Sequence, residues 1–223
     1  MKKLQKAIPD FYGKEDITFH ELNSDFIATF DLFLKTEAGL CRNTIVRYMK
    51  CFKRITNMAL AKEWMRKDPF YGYKMAQDET DPVFLTYPEL KSIMEKEFTI
   101  PRLALVRDIF VFAAFTGLAF ANVSTLTKDN LVQDNNGDWW IRKGRVKLER
   151  RHRASSVCNI PLLPVPLAIL KKYEEHPICR KKSLCLPVIC NQRMNSYLKE
   201  IADLCNIRKN LTTHTAKHSK IYI

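Results

Sequence analysis

At 223 residues, 46% of them apolar and 13 of them Phe, the chain can bury one large core or two smaller ones. Its 37 Lys and Arg against 24 Asp and Glu give a net charge of +13 and a pI near 9.4, so the expected partner is a polyanion, nucleic acid before an anionic membrane surface. No stretch approaches the roughly 18 apolar residues of a membrane span, and the seven cysteines, odd in number and without a C-x-x-C pair, read as reduced core thiols of a soluble cytoplasmic protein.

The first local signal is a capping box from Thr18 to Glu21, with Ile17 and Leu22 placed as a hydrophobic staple. Phe26, Ile27, Phe30, Phe33 and Leu34 then recur at helical spacing and predict a helix to about Thr36, closed by Gly39. Asn43 or Thr44 is placed to cap a second helix, whose apolar face is Ile45, Tyr48, Met49, Phe52, Ile55, Ala59 and Leu60. On it Arg47, Lys50 and Arg54 fall at i, i+3 and i+7, a cationic stripe that is either a solvated face or a phosphate contact. From Asp68 to Pro82, two prolines, a glycine and mixed charge without periodicity predict a linker.

A second unit begins near residue 83. Thr86 and Glu89 form another capping box, with Pro88 near the helix start and Leu85 and Leu90 as its staple. Helices are expected over 87–97 and 101–116, the second nearly all apolar and so buried on most sides, ending at Gly117. A short helix over 122–126 precedes Asp134-Asn-Asn-Gly-Asp138, whose Asn-Gly step is a hairpin signal. Residues 131–133, 139–141 and 157–163 supply three antiparallel strands, and helices resume over 166–173, over 191–205 and from Thr212 or Thr213.

Between the second and third strands, Arg142, Lys143, Arg145, Lys147, Arg150, Arg151 and Arg153 stand against one acid, Glu149. Burying an unpaired cation costs several kcal/mol, roughly, so this hairpin must face water or phosphate.

This order of features resembles the tyrosine recombinases (phage integrase family), most closely the integrases of Bacteroidetes mobile elements. The matching phrases are Val83-Phe-Leu-Thr-Tyr-Pro-Glu-Leu90, Val106 through Phe-Thr-Gly-Leu118, Ile160-Pro-Leu-Leu-Pro-Val-Pro-Leu-Ala-Ile-Leu170, Met194 through Cys205, and Leu211-Thr-Thr-His-Thr-Ala-Lys-His218. They cover nearly the whole chain in the family's order. The resemblance implies a mainly α fold: a partial helical core-binding (SAM-like) domain over 1–75, a linker over 76–82, and over 83–223 a mixed α/β catalytic domain with a small antiparallel sheet, its C-terminal helices missing. It also implies a reaction in which a Tyr attacks a DNA phosphodiester, forms a 3′-phosphotyrosyl link and expels a 5′-hydroxyl. Bond energy is conserved, so no cofactor, ATP or metal is required. The implied partners are double-stranded DNA and other integrase protomers, not a membrane.

Such chemistry needs two guanidiniums on the non-bridging oxygens, a proton donor for the leaving oxygen and a His as acid and base. The family's first clamp Arg follows Phe-Thr-Gly-Leu, where this chain has Ala119. Matching backward from Ile160 puts Arg153 at the family's hairpin Lys, whereas matching forward from Trp139 puts Lys143 or Lys147 there. The family's His-x-x-Arg-His box reads His214-Thr-Ala-Lys-His218. His214 matches its first His, Lys217 replaces the second clamp Arg without the planar fork, and His218 either serves the site or packs the helix.

Histidines at i, i+4 also occur in zinc proteases, but Thr215 stands where those carry Glu. The spacings of His176, Cys179, Cys185 and Cys190 fit no standard zinc knuckle. Tyr222 lies too close behind His218 to match the family's nucleophile, and Met1 to Tyr12 resembles the tail of an early helix of the family's core-binding domain, so the resemblance implies a chain truncated at both ends. Two functions are expected. One is a DNA-binding member of the integrase family, unable by itself to complete the phosphotyrosine reaction. The other is a non-catalytic DNA-binding remnant, or a competitor of a full-length integrase. Either binds DNA through Arg47, Lys50, Arg54, Arg142, Lys143, Arg145, Arg150 and Arg151.

Overall fold

The computed structural model describes residues 8, 9, 13, 16–144 and 157–219. The chain divides into two compact units, residues 1–80 and 81–223.

In the first unit, α1 spans Ser24–Thr36 and α2 spans Arg42–Ala61. The Thr18 box forms, with both the backbone N–H and the hydroxyl of Thr18 donating to Glu21 at 2.9 Å. It closes a turn rather than the helix, because Asn23 takes over the cap by accepting the Phe26 N–H. Phe26, Phe30 and Phe33 of α1 pack on Ile45, Met49 and Phe52 of α2. The Phe52 ring lies edge-on to Phe26, Phe30 and Phe70, with centroids 5.6–6.1 Å apart.

Three expectations change here. Helix α2 starts at Arg42 behind Cys41, and Asn43 instead exchanges two 2.9 Å hydrogen bonds with the backbone of Asp78. Ile55, assigned to the apolar face, is exposed. The segment from Asp68 is not free linker throughout, since Phe70 is buried in the core.

In the second unit, α3 spans Tyr87–Glu95, α4 Pro101–Thr116 and α5 Phe120–Val123. Pro101 opens α4, and Gly117 stops it in a left-handed conformation that accepts glycine readily, at φ 64°. Every residue from Asp108 to Thr116 is buried, which makes α4 the central element. Strands β1 (Leu131–Gln133), β2 (Trp139–Gly144) and β3 (Val157–Pro161) form an antiparallel sheet in the order β1-β2-β3. Trp139 faces Gln133, and Ile141 faces both Leu131 and Ile160.

Helices α6 (Pro164–Tyr173), α7 (Pro177–Lys182), α8 (Asn191–Leu204) and α9 (Thr213–His218) complete the unit. Helix α7 was not expected, since six residues carry no readable period. Helix α5 begins two residues before its predicted start, directly after Ala119. Among the described residues no helix is long and apolar enough to cross a membrane. The cysteines are free, but they are not all core thiols: Cys179 and Cys185 are buried, whereas Cys41, Cys51 and Cys190 are exposed.

Candidate functional site

Helix α2 turns Ile45, Val46, Met49, Phe52, Thr56 and Ala59 inward. The 3.6-residue period therefore leaves Arg47, Lys50 and Arg54 outside, and all three are exposed. The Lys50 ammonium donates to the Gln77 side chain at 3.2 Å. Beside this stripe lies a groove of about 460 Å³ lined by Lys50, Lys53, Arg54, Asn57, Met58 and Met75. Lys53 and Asn57 were missed in the sequence, although they repeat the i+3 and i+7 steps from Lys50.

Another cation of α2 has a different task. Arg42 holds the Asp31 carboxylate with Nη1 at 3.1 and 3.3 Å and donates to the carbonyls of Lys74 and Ala76. Tyr73 also donates to Asp31; burial first, then the Asp31 hydrogen bond and charge, pushes its hydroxyl up to about 12. This network straps residues 73–78 along the helix.

In the second unit, Thr212 caps α9, its hydroxyl accepting the Thr215 N–H at 3.3 Å. Thr215, Ala216 and Ser219 are buried, so the helix turns His214, Lys217 and His218 outward, and all three are exposed. His218 therefore does not pack the helix. The two histidine Nε2 atoms lie 2.9 Å apart, with ring centroids 4.4 Å apart and ring planes at 82°.

The surroundings of α9 explain its placement. Ser219 Oγ accepts the Leu85 N–H at 2.7 Å and donates to the Thr215 carbonyl. The Thr213 N–H donates to Asn195 and its hydroxyl to Asn191, which fixes α9 against α8.

Strand alternation sends Arg142 and Lys143 to opposite faces. Arg142 is exposed, while Lys143 is half-buried and donates to the Thr125 carbonyl at 2.6 Å and to Asn130 Oδ1 at 3.0 Å. The same Asn130 oxygen accepts the Thr127 N–H, so Lys143 holds the turn that follows α5. Ala119 precedes the first residue of α5 and offers no cation. Arg145, Lys147, Arg150, Arg151 and Arg153 lie outside the described residues.

Away from the box, the buried Asp108 carboxylate accepts from Arg107 Nε at 2.5 Å, Lys172 Nζ at 2.7 Å and the Tyr173 hydroxyl at 2.8 Å. Burial, then the Asp108 hydrogen bond, keeps Tyr173 protonated well above its ordinary range. This cluster edges a cavity of about 260 Å³, but its charges are mutually satisfied and read as structural.

Residues 1–75 match the family model described as the phage integrase SAM-like domain. No curated protein matches the chain. Among solved structures, the chain is similar to the lambda integrase dimer bound to a COC′ core site, with TM-score 0.69 and 14% identity over 98% of this chain and 74% of that one. It is similar to the Tn1549 transposon integrase in complex with a circular intermediate DNA, with TM-score 0.66 and 16% identity over 98% of this chain and 77% of that one. It is also similar to the XerH site-specific recombinase bound to palindromic difH substrate, with TM-score 0.65 and 16% identity over 97% of this chain. The chain spans 64% of the XerH chain's length. At these identities the likeness is one of fold. The mostly helical chain with its small three-stranded sheet has the integrase core-binding plus catalytic domain fold.

Proposed function

We propose that this chain binds double-stranded DNA as a module of the site-specific recombinase, or integrase, kind. The observation that carries this reading is the outward stripe Arg47, Lys50 and Arg54, on a helix inside the segment that matches the phage integrase SAM-like domain. Guanidinium and ammonium groups at helical spacing follow a phosphate backbone without reading bases. The likeness to three recombinase structures solved on DNA supports the same reading. On it, Arg142, Arg145, Arg150 and Arg151 of the hairpin add phosphate contacts from the second unit, whereas Lys143, expected among them, is engaged with the Thr125 carbonyl and Asn130 and holds the turn after α5 instead.

In the same proposal, His214 stands at the acid–base position of the resembled recombinase site, Lys217 at its second clamp position, His218 beside them and Lys147 or Arg153 at the hairpin position, while the attacking Tyr is not among the residues matched in this chain. The natural setting is bacterial cytoplasm and the DNA of a mobile element, with other integrase protomers as partners and no small-molecule cofactor.

The test is duplex-DNA binding by gel shift over a salt series. Tight binding that weakens steeply with salt is expected; a salt-insensitive complex, or none, refutes the reading. A second reading, binding without strand cleavage, is favoured by Ala119 and Lys217, since a methyl group cannot clamp a phosphate and Lys lacks the bidentate fork. A suicide DNA substrate separates the two: a covalent protein–DNA adduct establishes cleavage, and its absence despite tight binding establishes the second reading.

A further inference from the structure

We propose that the tip of the strap, residues 77–80, is an autoinhibitory cover on the cationic stripe of α2 and is displaced when duplex DNA binds. Asn43, Arg47, Lys50 and Arg54 stand at i, i+4, i+7 and i+11, so they share one face of the helix. The strap holds the first half of that face. Asn43 exchanges two 2.9 Å hydrogen bonds with the Asp78 backbone, and the Lys50 ammonium donates to Gln77 Oε1 at 3.2 Å. These two anchors stand about one turn to either side of Arg47. Asp78 and Glu79 are exposed, so they bring two carboxylates to the same end of the stripe. Asn43, which holds Asp78, is four residues from Arg47, a rise of about 6 Å against a screening length of roughly 8 Å at physiological salt. A phosphate arriving at Arg47 or Lys50 is therefore repelled by this end of the strap, and it finds the Lys50 ammonium already engaged.

The strap divides into a fixed root and a releasable tip. At the root, Arg42 holds the carbonyls of Lys74 and Ala76, Tyr73 donates to Asp31, and Tyr73 and Met75 pack against the core. Beyond Ala76 the bonds to Asn43 and Lys50 join exposed groups, and a bond of that kind adds little net stability. A phosphate oxygen carries charge and is a stronger acceptor for Lys50 than the neutral Gln77 amide. The tip swings out while the root stays docked. The apparent affinity for DNA is then the intrinsic affinity scaled by the fraction of chains whose strap is open. This regulation rests on the proposed binding of DNA by the stripe.

The test uses two charge-neutral variants of the full chain, Gln77→Ala and Asn43→Ala, in the gel-shift salt series. Net charge is unchanged, so a gain in affinity is not a charge effect. Each variant should tighten duplex binding by roughly two- to ten-fold, the worth of one or two exposed hydrogen bonds. The salt slope should stay that of the wild type, because the same phosphates are neutralised in the complex. Amide exchange gives an independent readout: the Asp78 N–H, held by Asn43 in the free chain, should exchange faster once DNA is bound. Circular dichroism verifies that the variants stay folded. Unchanged or weaker binding by both variants, or Asp78 exchange that DNA slows or leaves alone, overturns the cover. No duplex binding by the wild type and the variants alike refutes the stripe as a DNA contact, so the two failures are told apart.

Discussion

At the scale of single residues, Asp108 and Glu89 show how far one carboxylate's role depends on its surroundings. Asp108 is buried and satisfied by Arg107, Lys172 and Tyr173. Removing one member of a buried charge cluster leaves the others uncompensated, so Asp108→Ala should lower unfolding free energy by about 3–5 kcal/mol in urea titrations. Lys172 is half exposed, and Lys172→Ala should cost under about 1 kcal/mol. Glu89 accepts from the Thr86 backbone at 2.7 Å and from Lys209 at 2.6 Å. Burial alone would raise its carboxyl, but the Lys209 and Thr86 hydrogen bonds outweigh it and hold the pKa below the ordinary value. With the folded pKa depressed, its contribution is full above the unfolded value of about 4.3 and disappears as pH falls through the folded one. The stability difference between the wild type and Glu89→Gln should therefore be constant at neutral pH and shrink below about pH 4.3. A difference that grows in acid would show that the carboxylate is not the stabilised form. These roles differ in how far the sequence discloses them: Thr86-x-x-Glu89 announces a cap, but nothing near Asp108 names partners 64 and 65 residues away.

At the scale of elements, the turn joining β1 and β2 is the most explicit sequence signal that the fold uses. Gly137 adopts φ 89°, and Asp134 collects the backbone N–H groups of Asn136 and Asp138 and the Trp140 indole N–H, each within 3.0 Å. A Cβ at Gly137 would meet no atom nearer than Gln133 Nε2 at 3.7 Å, so the cost of Gly137→Ala is backbone strain alone. It should come to about 1–2 kcal/mol in thermal or urea unfolding. An effect near zero would mean that the turn relaxes to another type. Helices α1 and α2 were legible because their apolar residues repeat over three or more turns, and α4 because nearly every residue between Pro101 and Gly117 is apolar. Their starts were less so: Asn23 outcompetes the Thr18 box, and Asn43 is drawn off to Asp78. Helix α7 and the burial of Phe70 depend on partners distant in sequence, which no local pattern encodes. The box shows the same divide. His214, Lys217 and His218 were visible as a motif, yet their outward orientation follows from Thr215, Ala216 and Ser219 fitting the core.

At the scale of the whole molecule, a net charge of +13 guarantees attraction to any polyanion, so affinity alone cannot identify the contact surface. Counterion release can. Each phosphate neutralised contributes roughly 0.9 to the slope of log affinity against log salt, and a cation already engaged within the protein contributes nothing. Arg47 and Arg54 point outward from α2, whereas Arg42, on the same helix, is held by Asp31 and two backbone carbonyls. Arg47→Ala and Arg54→Ala should each weaken duplex binding and flatten the slope by roughly 0.9, whatever the DNA sequence. Arg42→Ala removes the same formal charge but should leave the slope unchanged while loosening the strap over residues 73–78. Its effect should appear as faster amide exchange at Asp78, where the Asn43 hydrogen bond shields the N–H. If all three variants flatten the slope equally, binding follows net charge alone and α2 has no privileged face. If only Arg47 and Arg54 do so, the phosphate backbone runs along the stripe that their spacing marks in the sequence.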